Sequence, residues 1–195
     1  PAPRLWNNRV AALAGTARST GLLAVTAGLA VSEATTYGLQ PIYGAMDFLY
    51  RAKNSLENGS SIERIVKKEL KKYRNIFGYG RPLTNSDERV KPLLKFAKSI
   101  GVGNGPFLNL ALEIDDYLSN SRYKFRINIA GIDAGIAADQ GLTSKEFYHL
   151  ATLSFVAGMF PCYIDSANKP EGCFFPLAVD RIKTKEPKAT RVWRT

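Results

Sequence analysis

The sequence has few of the residues that form metal and disulfide sites. Its 195 residues include one histidine, His149, and two cysteines, Cys162 and Cys173. Two cysteines do not form the disulfide framework of a secreted domain, so we expect a reducing compartment: the cytoplasm or, alternatively, the mitochondrial matrix. Structural zinc needs four ligands, which this set of residues does not provide. We therefore expect no metal site.

Long apolar runs and alternating patterns are also scarce. The longest charge-free, apolar-leaning stretch near the start, Ser19 to Ser32, is too short to cross a bilayer, and we expect no membrane contact. Alternation of apolar and polar residues, the pattern of a half-buried strand, extends over only a few residues at a time. Helical spacing dominates instead, which predicts an all-α fold.

Acidic residues are outnumbered by basic ones, 17 to 27, which gives a formal charge of +10 at pH 7. This charge is compatible with nucleic-acid binding, with a site for cofactor phosphates, or with a solvated surface. Basic residues concentrate at 67–72, where they surround an apolar stripe as in a solvated helix face, and at 181–194. No zinc-finger, RNA-recognition or cold-shock pattern accompanies them, so we expect no nucleic-acid partner.

The N-terminal region is rich in small residues. The segment Arg9–Val31 has the composition of one helix, in which Gly21, Ala24 and Gly28 are spaced by three and four residues. Residues at this spacing share one helix face, and small side chains there let another helix approach closely. We expect this face to pack against the same helix of a second chain.

Helix signals recur along the rest of the chain. Ser60 with Glu63 and Thr143 with Glu146 form capping-box patterns. We expect the helix after Thr143 to end or kink at Pro161. The remaining predicted helices are Ile42–Leu56, one opened by Asp87, one beginning at Pro106, and Ile127–Gln140.

Four motifs occur in an order that resembles the citrate synthase superfamily. They are a glycine-rich loop followed by Asp-Glu-Arg, an Asn-Gly-Pro segment followed by Leu-Ala-Leu-Glu, an Ile-Asn-Ile-Ala segment, and a Thr-Ala-Gly segment leading to Thr-Tyr-Gly. The resemblance is to the C-terminal part of citrate synthases and citryl-CoA lyases and covers nearly the whole chain. In the same order, the motifs lie at 77–82 with 87–89, 103–106 with 110–113, 127–130, and 26–28 with 36–38.

The resemblance implies a helical fold with a large domain and a small CoA-binding subdomain. It assigns residues 1–58 to the large domain, 59–126 to the subdomain, and 127–195 to the large domain and a C-terminal tail. It also implies coenzyme A or an acyl-CoA as the ligand and a homo- or heterodimer with a citrate-synthase-like chain.

The catalytic positions of the family are replaced in this chain. The histidine that binds the enolate falls at Tyr37, the histidine that polarises the ketone at Arg81, and the general-base aspartate at Ala130. Asp133 lies one helical turn after Ala130, so a three-residue shift in register would make it the base. Two arginines of the family fall at Gly158 and near Phe175-Pro176.

The positions at which the family binds its ligands are better retained in this chain than the catalytic positions. Gly78, Tyr79 and Gly80 match the loop whose backbone meets the CoA adenine. Lys124 and Arg126 match cations near the CoA phosphates, which favour such charges. A further match, Arg89, falls where the family binds a substrate carboxylate.

Each of these residues also has a plainer interpretation. Gly78 and Gly80 can simply shape a turn, and the side chains of Lys124 and Arg126 can be solvated. Arg89 can pair with Asp87 or Glu88, and Tyr37 can serve packing alone. His149, on a mostly apolar helix, is expected to be a partly buried structural residue.

Two functional hypotheses follow from the resemblance. In the first, the chain is a catalytically degenerate subunit that binds CoA or an acyl-CoA and acts as a partner or regulatory chain. In the alternative, it is an active, divergent acyltransferase or lyase of the citrate synthase type, in which Asp133, Tyr37 and Arg81 take new catalytic roles. Convergence of a carboxylate and a donor on the Gly78–Arg81 loop would discriminate between them.

Overall fold

The computed structural model describes residues 5–81 and 86–173, and in this part of the chain it is entirely helical, as predicted. No strand forms within these ranges; one isolated antiparallel bridge joins Tyr79 and Ile127. The helices are α1 (Trp6–Thr16), α2 (Gly21–Ser32), α3 (Leu39–Glu57), α4 (Ile62–Tyr73), α5 (Val90–Ser99), α6 (Pro106–Asn120), α7 (Ile129–Asp139) and α8 (Ser144–Ala167).

The chain forms two compact units. Among the described residues, the larger lies within 29–157, and the smaller contains 5–28 and 158–173. The three-segment division expected from the resemblance remains a prediction.

The core of the larger unit is built around α7, which packs against α3 and α6. Small residues make this possible: a Cβ at Gly135 would lie 2.9 Å from the Cα of Leu108, so the backbones of α6 and α7 approach closely there. Large apolar side chains fill the space around this contact, because interiors tolerate few voids. The fully buried ones include Met46, Phe48, Leu49, Leu108, Ile114, Leu118 and Ile132.

The predicted single helix over 9–31 is wrong, because the helix is interrupted by a turn between α1 and α2. Arg18 adopts a left-handed conformation with φ of 60°. Its N–H donates to the Gly15 carbonyl, and the N–H of Ser19 donates to the Ala14 carbonyl. This is the Schellman arrangement, which usually has glycine where Arg18 stands. The Arg18 guanidinium also donates to the carbonyl oxygens of Ala167 and, at 2.8 Å, Lys169.

The small-residue stripe of α2 packs inside the smaller unit. A Cβ at Gly28 would lie 2.6 Å from the Met159 sulfur, and one at Gly21 would lie 3.3 Å from the Tyr163 ring. Ala24, between them, is fully buried. The close approach predicted for these residues therefore occurs within the chain, against the C-terminal part of α8.

Helix α8 continues past Pro161 to Ala167, so of the two expectations the helix end is wrong and the kink stays a prediction. A proline removes one N–H donor, here the partner of the Ala157 carbonyl, and leaves the rest of the helix hydrogen bonds in place. By length and composition, α8 could also cross a membrane: its most apolar window has a mean hydropathy of 1.3, and 22% of that window is buried. Core helices of soluble proteins meet the same criterion.

The predicted caps are confirmed in part. At the start of α8, the Thr143 N–H donates to the Glu146 carboxylate at 2.8 Å, and the Glu146 N–H donates to the Thr143 hydroxyl at 3.3 Å, a complete capping box. At α4, the cap is Ser61, not Ser60; its hydroxyl accepts from the Arg64 N–H. Pro106 occupies the first turn of α6, as expected.

Candidate functional site

The glycine-rich loop is held against the segment that enters α7. Gly78 and Gly80 have φ of 88° and 81°, a left-handed conformation that favours glycine. The Asn128 N–H donates to the Gly78 carbonyl at 2.9 Å, and the Gly80 N–H donates to the Arg126 carbonyl at 2.7 Å. The Asn128 side-chain amide also donates to the Gly80 carbonyl. The turn therefore shapes the loop and fixes it to the start of α7.

The first turn of α7 lies directly on this loop. A Cβ at Gly131 would lie 2.5 Å from the Gly78 carbonyl oxygen, so only glycine fits there. Asn128 caps the helix, since its side-chain oxygen accepts from the Ala130 N–H at 3.0 Å. The glycine-rich loop and the Ile-Asn-Ile-Ala segment are thus in contact.

Tyr79 belongs to the core. Its hydroxyl donates to the Ala111 carbonyl at 2.9 Å, and its ring meets Phe48 edge-on. Burial raises the pKa of the phenol well above its ordinary value. The Tyr79 N–H is also used, donating to the Ile76 carbonyl. The side chain proposed to bind the cofactor is therefore engaged in packing.

Asp87 is the centre of a polar cluster beside the loop. Its buried carboxylate accepts from the Arg89 guanidinium at 2.8 and 2.7 Å, from the Arg89 N–H at 3.1 Å, and from the Ile129 N–H at 2.9 Å. Burial works against ionisation, but these hydrogen bonds outweigh it and lower the pKa of Asp87 to about 2. Asp87 stays ionised and ties its loop to the first residue of α7.

Both candidate arginines of the site are paired with acids. The Arg81 guanidinium lies 2.6 Å from the Glu88 carboxylate and 3.6 Å from that of Asp87. The pKa of Arg89 is raised, first by its hydrogen bond with Asp87, and Tyr37 adds a smaller electrostatic contribution. Arg81 and Arg89 therefore both lie against the buried Asp87 carboxylate, and Tyr37 acts on Arg89.

Asp133 lies at the edge of the same cluster but is unpaired. Within residues 5–81 and 86–173, its carboxylate makes no hydrogen bond or ion pair. Burial raises the pKa of Asp133 to about 6; the charge of Arg89 opposes this shift and that of Asp87 adds to it. A carboxylate with this pKa can accept and return a proton near neutral pH.

Asp133 also lines a cavity of about 380 Å³ in the larger unit. The rest of the wall is almost entirely apolar and comes from α3, α5, α7, α8 and the turns between them. Asp133 therefore stands where the polar cluster meets an apolar space.

Lys124 and Arg126 lie on the exposed connector from α6 to α7. Arg126 pairs with Asp115 at 2.9 Å, and the same carboxylate accepts from the Ile127 N–H at 2.6 Å. Lys124 is exposed, and its ammonium makes a long contact of 3.4 Å with the Ser119 carbonyl. Of the two proposed phosphate contacts, Lys124 is thus the less engaged.

The remaining expectations concern histidine, cysteine and metal. His149 is exposed and meets the Tyr148 ring edge-on at 5.3 Å, so the expectation of partial burial is wrong. Cys162 is buried, Cys173 is exposed, and both are free thiols. In the described ranges no group of three or more acidic, histidine or cysteine side chains could hold a metal ion. Gly158 lies within α8, and Phe175-Pro176 falls outside the described residues.

Sequence reasoning missed the cavity and the organising role of Asp87. No sequence signal set the cavity apart, because Leu93, Phe96, Ala97 and Ile100 are spaced by three and four residues and form the single apolar face of an ordinary core helix. In the structure, Phe96 and Ile100 of that face are more than half exposed.

Comparison with models of known protein families gave no match, and comparison with curated proteins gave none. Solved structures do match. Citryl-CoA lyase from Hydrogenobacter thermophilus is 19% identical with a TM-score of 0.75, covering 100% of this chain and 74% of its own. ATP citrate lyase from Methanothrix soehngenii, in complex with citrate and coenzyme A, is 20% identical with a TM-score of 0.70, covering 96% of this chain and 32% of its own.

A third similar structure is citrate synthase from Thermotoga maritima, at 18% identity and a TM-score of 0.62. The alignment covers 97% of this chain and 48% of that one. This chain thus spans half or less of the citrate synthase and the ATP citrate lyase, and about three quarters of the citryl-CoA lyase. These similarities confirm the predicted helical fold, which this chain shares with those citrate synthase and lyase structures.

Proposed function

We propose that this chain, which has the citrate synthase fold, binds a CoA thioester as a partner or regulatory subunit and does not itself make citrate. One observation carries the second half of the proposal. The polar cluster around Asp87 contains no histidine, because the one histidine of the chain is exposed on α8, and its two arginines are already paired with acids.

Citrate formation needs a base, an enolate-binding donor and a group that polarises the ketone. Losing a general base costs about 10²–10⁴ in rate, and losing one oxyanion donor costs about 10²–10³. Here the base position is Ala130 and the two histidine positions are Tyr37 and Arg81. Since Arg81 pairs with Glu88, its charge is largely committed before any substrate arrives.

Three features support CoA binding. The ATP citrate lyase of the same fold was solved with coenzyme A. The glycine loop is pinned to the Asn128 segment, and Lys124 projects from the adjoining connector with its ammonium exposed. The net charge of +10 favours a ligand that carries phosphates.

The test is calorimetry with CoA and acetyl-CoA, together with an assay of citrate formation. We expect CoA to bind, more weakly as salt is added, and no citrate to form at a rate typical of the family. Lys124→Glu should weaken CoA binding by about three- to tenfold. Lys68→Glu, an exposed site on α4 with the same charge change, is the matched control and should leave it unchanged. Absence of binding at millimolar CoA would refute the proposal.

A second function is favoured by Asp133. An unpaired carboxylate with a pKa of about 6, beside Arg89 and an apolar cavity, is what an active, divergent acyltransferase or lyase would need as its base. Turnover of acetyl-CoA with oxaloacetate, or cleavage of citryl-CoA, that is abolished in Asp133→Asn would establish this function and exclude the degenerate one. Cytoplasmic localisation is proposed for either function.

A further inference from the structure

We infer that the cavity beside Asp133 receives the acyl chain of the bound thioester, and that the ligand is an acyl-CoA with a chain longer than acetyl. This inference rests on the proposed CoA binding and adds the class of acyl group.

The cavity has the size and lining of a site for an apolar chain. Its volume of about 380 Å³ falls at the lower end of the range for small-molecule pockets, about 300–1,000 Å³. An acetyl group ends in one methyl and would leave most of this space unfilled. The apolar walls include Leu93 and Phe96 from α5, Ile136 from α7, and Phe147, Leu150 and Phe155 from α8.

The mouth of the cavity exposes apolar side chains to water. Phe96 is 59% exposed, Ile100 56% and Leu150 50%, and all three line the cavity. Apolar residues grouped at an opening are typical of a surface that a ligand covers. An acyl chain that enters here would bury apolar side-chain area that is exposed to solvent in the folded protein.

Asp133 is the one charged residue among the described residues of the cavity wall, whose other polar members are Gln140 and Ser154. Asp133 lies one helical turn after Ile129, whose N–H donates to the Asp87 carboxylate, so this residue marks the side of the cavity nearest the polar cluster. A ligand with an apolar chain and a polar head is therefore oriented, with its chain in the cavity and its head towards the arginines. In an acyl thioester this places the carbons next to the carbonyl nearest Asp133.

The charges select among ligands that carry an apolar chain. Because Arg81 and Arg89 already pair with Glu88 and Asp87, a free fatty acid would bring its carboxylate beside the unpaired Asp133, and like charges repel. A long-chain amine would approach a chain of net charge +10 with Arg89 nearby. A thioester carbonyl is uncharged and avoids both penalties, while the CoA phosphates are attracted by the basic surface.

The experiment is a chain-length series, measured by calorimetry on the full chain. Affinity for acetyl-, butyryl-, hexanoyl- and octanoyl-CoA should rise about fourfold for each methylene buried, until the cavity is full. Hexanol, octanol and hexylamine test the cavity without CoA; octanol should bind more tightly than hexanol. Equal affinity across the acyl series, with normal CoA binding, would overturn the inference and leave the proposed function intact.

A tryptophan at the mouth supplies the matched variant. Ser154 lines the cavity and is exposed, so Ser154→Trp should fold, as checked by circular dichroism, and should remove the dependence on chain length without changing the affinity for CoA. Leu153→Trp, on the neighbouring exposed residue outside the cavity wall, should retain it.

The remaining outcomes separate the two proposals. If CoA does not bind but octanol binds and Ser154→Trp blocks it, the cavity is an apolar-chain site and the proposed function fails. Tighter binding of hexylamine than of hexanol would overturn the acyl assignment. The inference would also be overturned if Ser154→Trp changed the particle mass in light scattering and left ligand affinity unchanged. The cavity mouth would then be an interface between copies of this chain.

Discussion

Two aspartates near one arginine have pKa values shifted in opposite directions. Asp87, bonded to Arg89 and to the start of α7, is lowered to about 2. The pKa of Asp133, which is half-buried without such bonds, is raised to about 6. Titratable groups whose environments separate their pKa values are typical of sites that handle protons or charge. At this scale the two carboxylates have different roles: Asp87 holds the structure and Asp133 remains available to a ligand.

Because the pKa of Asp133 is raised, its ionised form destabilises the folded state. The folded pKa of about 6 exceeds the ordinary value of 3.8, so the cost is present above pH 6 and disappears as the pH falls towards 4. Asp133→Asn should therefore raise the free energy of unfolding at pH 7.5 by about 2–3 kcal/mol, and by much less at pH 4.

Urea denaturation at the two pH values measures this difference. Asp116→Asn, an exposed aspartate on α6, is the control for loss of one negative charge. Equal effects of Asp133→Asn at both pH values would show that burial does not shift this carboxylate.

At the scale of the helices, carboxylates join segments distant in sequence. Asp139, at the end of α7, accepts from the N–H groups of Phe107 and Leu108 at 2.7 and 3.0 Å and so caps the start of α6. This contact explains the Asn-Gly-Pro motif: a Cβ at Gly105 would overlap the Asp139 carboxyl. Gly105 has φ of −75°, which any residue adopts, so the requirement there is space.

Gly105→Ala should lower the free energy of unfolding by about 1–3 kcal/mol, because the added methyl group displaces the Asp139 carboxylate from the α6 cap. Asp139→Ala should cost about 1–2 kcal/mol through loss of the cap. The double variant should lose less than the sum of the two single losses, since both single changes remove the same α6 cap. Strictly additive losses in thermal or urea unfolding would contradict this explanation.

At the scale of the whole molecule, an expected dimer must use a surface other than the one first predicted. The small-residue face of α2 packs against α8 within the smaller unit. On the other side of α2, Leu22 and Leu23 are 75% and 59% exposed. Apolar residues adjacent on one helix and left in water are typical of an interface.

We therefore predict a dimer that depends on Leu22 and Leu23. Light scattering at micromolar concentration should give twice the chain mass for the unmodified protein and a single chain mass for Leu22→Glu with Leu23→Glu, because buried charges without partners are strongly unfavourable. Tyr73→Glu, at an exposed aromatic residue of α4 in the larger unit, should remain dimeric. A monomeric unmodified chain would refute the prediction.

The sequence by itself determined the features that depend on near neighbours. Helical spacing, the Thr143–Glu146 capping box and Pro106 at the start of α6 are local, because a helix is stabilised by bonds between residues three and four apart. The order of the four motifs then sufficed for the fold, and the presence of a single histidine, His149, was readable without coordinates.

Tertiary structure alone decided the rest, because each remaining feature depends on contacts between distant residues. The break at Arg18 uses a residue that rarely adopts its conformation and is supported by carbonyls at the far end of the chain. The pairing of Arg89, the burial of Tyr79 and the unpaired state of Asp133 all depend on which segments the fold brings together. The cavity has no sequence motif, since it is the space left between helices whose packing is set by all their side chains at once.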